Sequence, residues 1–413
     1  MEQPESILVT LPLEIIVTIL KCGQHTLRSA QTCRLLREIV TEHVGYGCIK
    51  VKDEEELLRL SGSPLLRNTR ISLCDLSEIV KDSHLALLKG VHTIDIGCCK
   101  GVTDKGLSVL KGVHEINVNS SLVGRIEVLA GVHTIDLSKC QRILDEGVTA
   151  LAGVHTIDLS MTKVTDVGIK ALSGVHKISL AFTRVTDEGV KALAGVHTID
   201  LRFTKVTDEG IKALKGVHSI WMRKCSHISD EGIKELTGVH DIDVSSTSIT
   251  DKGIEYLASA HVVDLSDTRV TNEGLKALTC VQDLKLARTS IIHEGFEVLK
   301  GVPKLDLSFT SITDEGLKFL AGVRSIKLHF TGVTDAGISA LAGVHTIGLR
   351  GCGLITDEGI SALAGVHEID LRETKVTDKG VKALIGVHTI NLYGTAVTQE
   401  GLDALVRTHN VIV

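Results

Sequence analysis

The 413-residue sequence predicts an α/β solenoid, a curved parallel sheet with short helices on its convex side, preceded by a small helical segment. Three observations predict it. A stretch of about 21 or 22 residues recurs, beginning at positions 90, 112, 131, 153, 174, 195, 216, 238, 259, 280, 301, 322, 343, 365 and 386. A fixed period this short marks units that stack on their neighbours. Nearly every copy also holds an alternating apolar stretch, then a helix-start signal, then two apolar residues three apart. Finally, aromatic residues make up only 2% of the chain, which suits thin aliphatic layers between units. The length alone would allow two or three ordinary domains, but a solenoid grows by stacking and not by enlarging one core.

Residues 1–44 do not repeat. Thr10 is placed to cap a helix, with Pro12 in its first turn and Leu13, Ile16, Ile19 and Leu20 at helical spacing. A second helical pattern runs from Leu27 to Val40, and Gly23 lies between the two. Two short helices this apolar need something to bury them: the end of the solenoid, a partner, or both. The pattern Leu11-Pro12-x-Glu14-Ile15-x-x-x-Ile19-Leu20, followed by Cys33-Arg34-x-x-Arg37, resembles an F-box. The turn between its helices, Lys21-Cys22-Gly23-Gln24-His25, is shorter than that family's acidic-apolar one. The resemblance implies docking of a Skp-family adaptor in a cullin complex through Leu11, Pro12, Ile15, Ile16, Ile19, Leu20, Cys33, Arg34 and Leu36. Exposed apolar anchors on a helix seated in a groove are the physical basis of such docking. The alternative is that these helices only cap the solenoid.

Residues 45–89 read as degenerate leading repeats. Ile49-Lys50-Val51 and Ile71-Ser72-Leu73 fit the strand position, and Asp53 to Leu60 fits a helix with an acidic first turn. Residues 90–413 form the regular array. In the copy at 153, Val154, Ile157 and Leu159 resemble the L-x-x-L-x-L core of a leucine-rich repeat, with Thr162 in place of that family's Asn or Cys. Thr165 and Asp166 are placed to cap a short convex helix, and Ile169 and Leu172 turn its apolar edge inward. Two places break the pattern. The copy at 112 has 19 residues and no Thr-Asp pair, so its convex turn is expected to be tight or irregular. The copies at 259 and 280 lose the opening Gly, and Pro303 follows Gly301-Val302.

Formal net charge is −6, which gives no nucleic-acid signature. No apolar run approaches the roughly 20 residues that span a bilayer, and the first ten residues carry no basic segment before an apolar run. Cys99, Cys140, Cys225 and Cys352 occupy the column that elsewhere holds Thr, so they read as free structural thiols. Free thiols imply a reducing compartment, cytoplasmic or nuclear. No spacing of Cys, His, Asp and Glu assigns a metal or a cofactor, and no nucleophile or oxyanion donor accompanies the acidic residues, so an enzyme is not expected.

Recurring side chains serve the repeat, and exceptions carry the information. His follows Gly-Val in most copies, from His92 to His409, and is expected to be neutral and bonded to neighbouring backbone. The strand position between Ile157 and Leu159 faces the concave side and is mostly Asp, with Trp221, Lys285, Lys327 and Gly348 among its exceptions. The next two columns vary most. Four of the six Phe lie in one of them, and aromatic and Arg side chains are frequent interface anchors. Two basic-aromatic patches emerge as the expected partner-binding surface. One comprises Phe182, Arg202, Phe203, Trp221, Arg223 and Lys224; the other comprises Lys285, Arg288, Phe309, Lys327, His329, Phe330, Arg350 and Arg372. The alternative for the Phe residues is that they tuck under the strand edge as core.

Two functional readings follow. One is the substrate-recognition subunit of a cullin-type ubiquitin ligase that holds an unknown target protein on its concave face. The other is an interaction scaffold whose N-terminal helices are only a cap.

Overall fold

The computed structural model describes residues 48–61, 66, 70–405 and 410–412. The F-box-like stretch and its nine named residues lie outside them. The chain divides into two compact units, residues 1–196 and 197–413. Each described unit is a parallel sheet of three-residue strands with helical turns on one side. The first holds β1 (Cys48–Lys50), β2 (Arg70–Ser72), β3 (Thr93–Asp95), β4 (Glu115–Asn117), β5 (Thr134–Asp136), β6 (Thr156–Asp158) and β7 (Lys177–Ser179). The second holds β8 (Thr198–Asp200), β9 (Ser219–Trp221), β10 (Asp241–Asp243), β11 (Val262–Asp264), β12 (Asp283–Lys285), β13 (Lys304–Asp306), β14 (Ser325–Lys327), β15 (Thr346–Gly348), β16 (Glu368–Asp370), β17 (Thr389–Asn391) and β18 (Asn410–Ile412). Within each unit consecutive strands pair in register, so that Ile135, Ile157 and Ile178 lie side by side. Repeat, register and sheet together make the leucine-rich repeat solenoid that the periodicity predicts.

The copy at 153 shows why each residue is where it is. Val154, Ile157, Leu159, Val164, Ile169 and Leu172 are all at most 3% exposed and form one aliphatic layer. Gly153 opens the copy at φ +86°, a conformation that L side chains rarely adopt. A helix of only four residues, Asp166–Ile169, continues as a 3₁₀ turn over Lys170–Leu172. Thr165 caps that helix by accepting the Val167 N–H, although at a long 3.4 Å.

The stronger contact at this corner joins neighbouring copies. Thr186 donates its N–H to Asp166 Oδ1 at 2.8 Å and its hydroxyl to Asp166 Oδ2 at 2.6 Å. The same clasp joins Asp145 to Thr165, Asp230 to Thr250, Asp314 to Thr334 and Asp357 to Thr377. It also fixes the glycine three residues after the clasped Thr in the later copy. A Cβ on Gly189 would stand 2.6 Å from Asp166 Oδ1. In the 19-residue copy, Asp104 instead accepts the Gly124 and Arg125 N–H groups, and only a 3₁₀ turn, Glu127–Leu129, remains.

The Thr and Cys of the bend column do different work. Thr162 donates to Leu159 O of its own copy at 2.6 Å. Cys140, Cys225 and Cys352 donate instead to carbonyls of the preceding copy, those of Val118, Leu201 and Leu328, at 3.0–3.2 Å. All four cysteines of the column are buried and unbridged, and burial pushes the Cys99 thiol up to about 12.

The His column departs from its expected backbone bonding. The rings stack face to face, with centroids 4.6 Å apart from His92 through His114, His133 and His155 to His176. Where Thr follows the His, the ring edge finds its hydroxyl, as His155 Nδ1 finds Thr156 Oγ1 at 3.1 Å.

Two predictions follow from these ladders. Thr186→Val removes one hydrogen bond to a charged acceptor and a weak cap. It should cost about 1–2 kcal/mol in denaturant unfolding, while exposed Lys170→Ala should stay within about 0.5 kcal/mol. Equal losses in the two variants would show that the clasp contributes nothing. For the imidazole ladder, desolvation and then the charges of His133 and His176 hold His155 below its ordinary value. A base whose folded value is depressed takes up protons more readily when unfolded, so stability rises with pH and is lost as pH falls below about 6.5. Tm should therefore fall between pH 7.5 and pH 5, and a constant Tm over that range would contradict the ladder's role.

Candidate functional site

The residues singled out for binding lie on the sheet face turned away from the helices and on the bend that follows each strand. That bend has a feature the sequence does not announce. Met161, Phe182, Phe203, Lys224, Arg288, Phe309 and Phe330 all sit at φ between 58 and 60°, apart from Phe330 at 55°. Non-glycine residues are uncommon in this left-handed region. The conformation turns their side chains outward. Phe182, Phe203, Phe309 and Phe330 are 37–49% exposed, so they are surface groups and not core.

Phe182 belongs to the first unit; the other predicted contact residues belong to the second. There Phe309 and Phe330 stack at 4.9 Å. The Arg288 guanidinium lies 4.3 Å above Phe309, Arg350 lies 5.4 Å from Phe330, and the Lys224 ammonium lies 5.4 Å from Phe203. Cation–π contact of this kind holds both partners in place at modest gain. Two exceptions in the strand and bend columns now have a cause. A Cβ at Gly348 would stand 2.4 Å from the His329 ring, and one at Gly351 would stand 2.5 Å from the Phe330 ring. His329 is half-buried, accepts the Arg350 N–H at 3.1 Å, and is held below its ordinary value by burial.

The cations are less uniform than the sequence implies. Arg202 forks onto Asp200, and Arg372 onto Asp370 at 2.5 Å. Arg350 pairs with Glu373 at 2.9 Å, and Lys285 reaches Asp264 at 3.4 Å. Burial alone would raise the Asp370 carboxyl, but the Arg372 fork more than offsets this and holds it below its usual range. The expected excess of positive charge at these four positions is therefore cancelled locally. Among the described residues, Arg223, Lys224, Arg288 and Lys327 have no carboxylate within 4.0 Å, and all four are exposed.

These four cations surround one groove of about 650 Å³. Arg223 and Lys224 stand at one side, and Lys285, Arg288, Phe309, Lys327 and His329 at the other. The two patches expected from the sequence thus join at this point. Trp221 is half-buried, in register between Asp200 and Asp243, and is not part of the groove lining. What sequence reasoning missed is the floor, where Ser245, Ser246, Ser266 and Ser308 lie among Asp264, Asp267 and Asp306. Small side chains there leave room between the two sides. The available signal was a run of serines in the columns that carry Arg or Phe in flanking copies. The Asp column also differs from expectation. Its members are mostly half-buried and bond to the backbone two residues on, as Asp306 Oδ1 accepts the Ser308 N–H at 3.0 Å. Among the described residues no helix is long and apolar enough to cross a membrane.

Phe309→Gly tests whether the aromatic is scaffold or surface. Gly351 and Gly394 occupy the same column at φ +69° and +74°. The variant should keep the wild-type Tm within about 2 °C while losing the ring, because relief of the left-handed strain offsets lost contact. A large drop in Tm would make Phe309 a structural residue.

Seven stretches of the chain match the family model "Leucine Rich repeat": residues 132–152, 154–173, 175–194, 196–215, 261–278, 304–321 and 345–364. No curated protein sequence matches the chain. Among solved structures, similarity extends to the TLR13–ssRNA13 complex, with a TM-score of 0.56 and 14% identity over 84% of this chain. The match covers 62% of that protein, so the chain spans less than two thirds of its length. A leucine-rich repeat protein of Leptospira interrogans matches over 88% of this chain and 99% of its own length, with a TM-score of 0.53 and 16% identity. The ectodomain of the Arabidopsis thaliana receptor kinase GASSHO1/SCHENGEN3, in complex with CASPARIAN STRIP INTEGRITY FACTOR 2, matches over 89% of this chain and 55% of its own, with a TM-score of 0.50 and 12% identity. At these identities the likeness is one of fold: the chain shares the leucine-rich repeat architecture with all three.

Proposed function

We propose that this protein is an interaction scaffold that holds a partner protein in the groove of its second unit. The observation that carries the reading is the set of four exposed cations without a carboxylate partner around an open groove, with stacked Phe309 and Phe330 beside it. With Arg223, Lys224, Lys285, Arg288 and Lys327 set against Asp264, Asp267 and Asp306, the lining keeps a positive excess that favours a partner segment rich in carboxylates. The solved relative with CASPARIAN STRIP INTEGRITY FACTOR 2 bound supports this use of the fold. No catalytic step is assigned to the groove. The free buried thiols support a reducing location, cytoplasmic or nuclear.

The motif Leu11-Pro12-x-Glu14-Ile15 with Cys33-Arg34-x-x-Arg37 favours a finer reading. In it, residues 1–44 dock a Skp-family adaptor, and the scaffold presents its partner to a cullin-type ubiquitin ligase.

One experiment addresses each part. Affinity capture with the full chain should recover a set of partners that Arg223→Ala with Arg288→Ala depletes at least tenfold; an unchanged set would overturn the groove as the binding surface. Purified Skp-family adaptor should bind the wild type, and Leu11→Asp or Ile15→Asp should abolish this while leaving the circular dichroism of the repeats intact. Failure of the wild type to bind would leave the scaffold without its ubiquitin link.

A further inference from the structure

The imidazole ladder changes character at one place in the second unit. In an ordinary rung the residue after His offers a hydroxyl, as Thr198 does to His197 Nδ1 at 3.1 Å. After His240 comes Asp241, and its Oδ1 lies 2.7 Å from His240 Nδ1. The other oxygen, Oδ2, accepts the Ser219 hydroxyl at 3.2 Å, and Ser219 Oγ lies 3.0 Å from His218 Nδ1. One carboxylate therefore bridges two successive rungs. The next rung, His261, stacks on His240 at 4.3 Å and 10°. His261 is followed by Val262, which offers no polar group, and its Nδ1 is buried without a hydrogen-bond partner.

We propose that His218, His240 and Asp241 form a binding site for a divalent transition-metal ion of the Zn²⁺ type, with the orphaned Nδ1 of His261 beside it. Ligand atoms of the three residues lie within 4.8 Å of one another. Donors around a tetrahedral Zn²⁺ at about 2.0–2.1 Å stand roughly 3.3 Å apart, so small side-chain rotations close the set. Two imidazoles with one carboxylate suit Zn²⁺ or Co²⁺ and are too nitrogen-rich for Ca²⁺ or Mg²⁺. Ser219 orients the carboxylate, as outer partners of metal ligands do. His218 and His240 immediately precede β9 and β10, and Asp241 opens β10, two strands that the sheet fixes in register. Glu115 and Glu368 also follow a ladder His, but among the described residues only His218, His240 and Asp241 bring three such ligand atoms this close, and Asp283 follows Gln282 in place of His.

The test is isothermal titration of the full chain with ZnCl₂ at pH 7.5, repeated with CoCl₂ and read by visible absorption. The wild type should bind one equivalent saturably. Asp241→Asn, which is isosteric, and Asp241→Thr, which restores the ordinary rung, should each weaken binding at least about tenfold. His155→Gln, in an ordinary rung of the first unit, should leave it unchanged. No saturable binding by the wild type would overturn the site. So would uptake of several equivalents that Asp241→Asn and Asp241→Thr leave intact, because that pattern belongs to the whole ladder or to the free thiols.

Discussion

The clasp between an aspartate and the threonine one copy later is the constraint from which the outer side of each unit follows. A helix of four residues has no stability of its own, since nucleation is unfavourable and little propagation follows it. Here its first residue is a carboxylate whose two oxygens are both committed to the next copy, as Asp166 is to Thr186. Four sequence preferences come from that single contact. Asp is needed for two acceptors, Thr or Ser for a hydroxyl at the same height as its N–H, and Gly three residues after that Thr for room. Helix-start position is the fourth, because it leaves the N–H free to donate. Thr-Asp-x-Gly is thus a statement about a neighbour more than about the helix it begins. Stability in such an array is a sum of units and their contacts, so a contact repeated in nearly every copy outweighs its modest individual strength.

The scaffold relaxes where the groove lies. At the copy beginning at 280, Asn272 replaces the clasp aspartate and Ile292 the threonine, and one bond of 3.1 Å remains. The imidazole ladder stops at His261 and resumes at His345, with Gln282, Pro303 and Arg324 between. The ladder hydrogen bonds of the sheet continue without them, as Ser325 N–H donates to Pro303 O at 3.0 Å. The same copies carry Lys285, Arg288, Phe309 and Lys327. Rules of a repeat are broken most readily where another demand acts on the sequence, and these breaks fall on both sides of the solenoid at once.

Much of the fold was legible because it is dictated by periods. Alternation placed Ile157 and Leu159 inward, three-residue spacing placed Ile169 and Leu172, and the missing Thr-Asp pair marked the irregular copy at 112. The site was legible only in part. Arg202 and Arg372 each stand two residues after an Asp, and only the bend between them shows that this spacing closes an ion pair. The left-handed column was hidden because most of its residues, among them Phe, Lys, Arg and Met, are not types that signal positive φ, while Asp267, Gly351 and Gly394 are too few to mark it. The serine floor was hidden for a different reason: a groove is made by what side chains lack. The boundary between the two compact units at 196 and 197 leaves no mark in a sequence whose copies there are nearly identical.

The left-handed bend belongs to the whole column, shared by Cys98, Lys139, Ser246, Asp267 and Glu373, and only what it presents to solvent differs from copy to copy. A glycine at that position would be cheaper, and the chain uses one at 351 and 394. Keeping Phe at 309 and 330 therefore accepts backbone strain of order 1 kcal/mol each, and both rings remain 40–42% exposed to water. Part of that strain is recovered by the stack between the two rings and by Arg288 above Phe309. Arg223, Lys224, Arg288 and Lys327 stand exposed beside these rings without a carboxylate partner. The occupant proposed above would meet both kinds of group at once, by bringing carboxylates and an apolar surface to the same few copies.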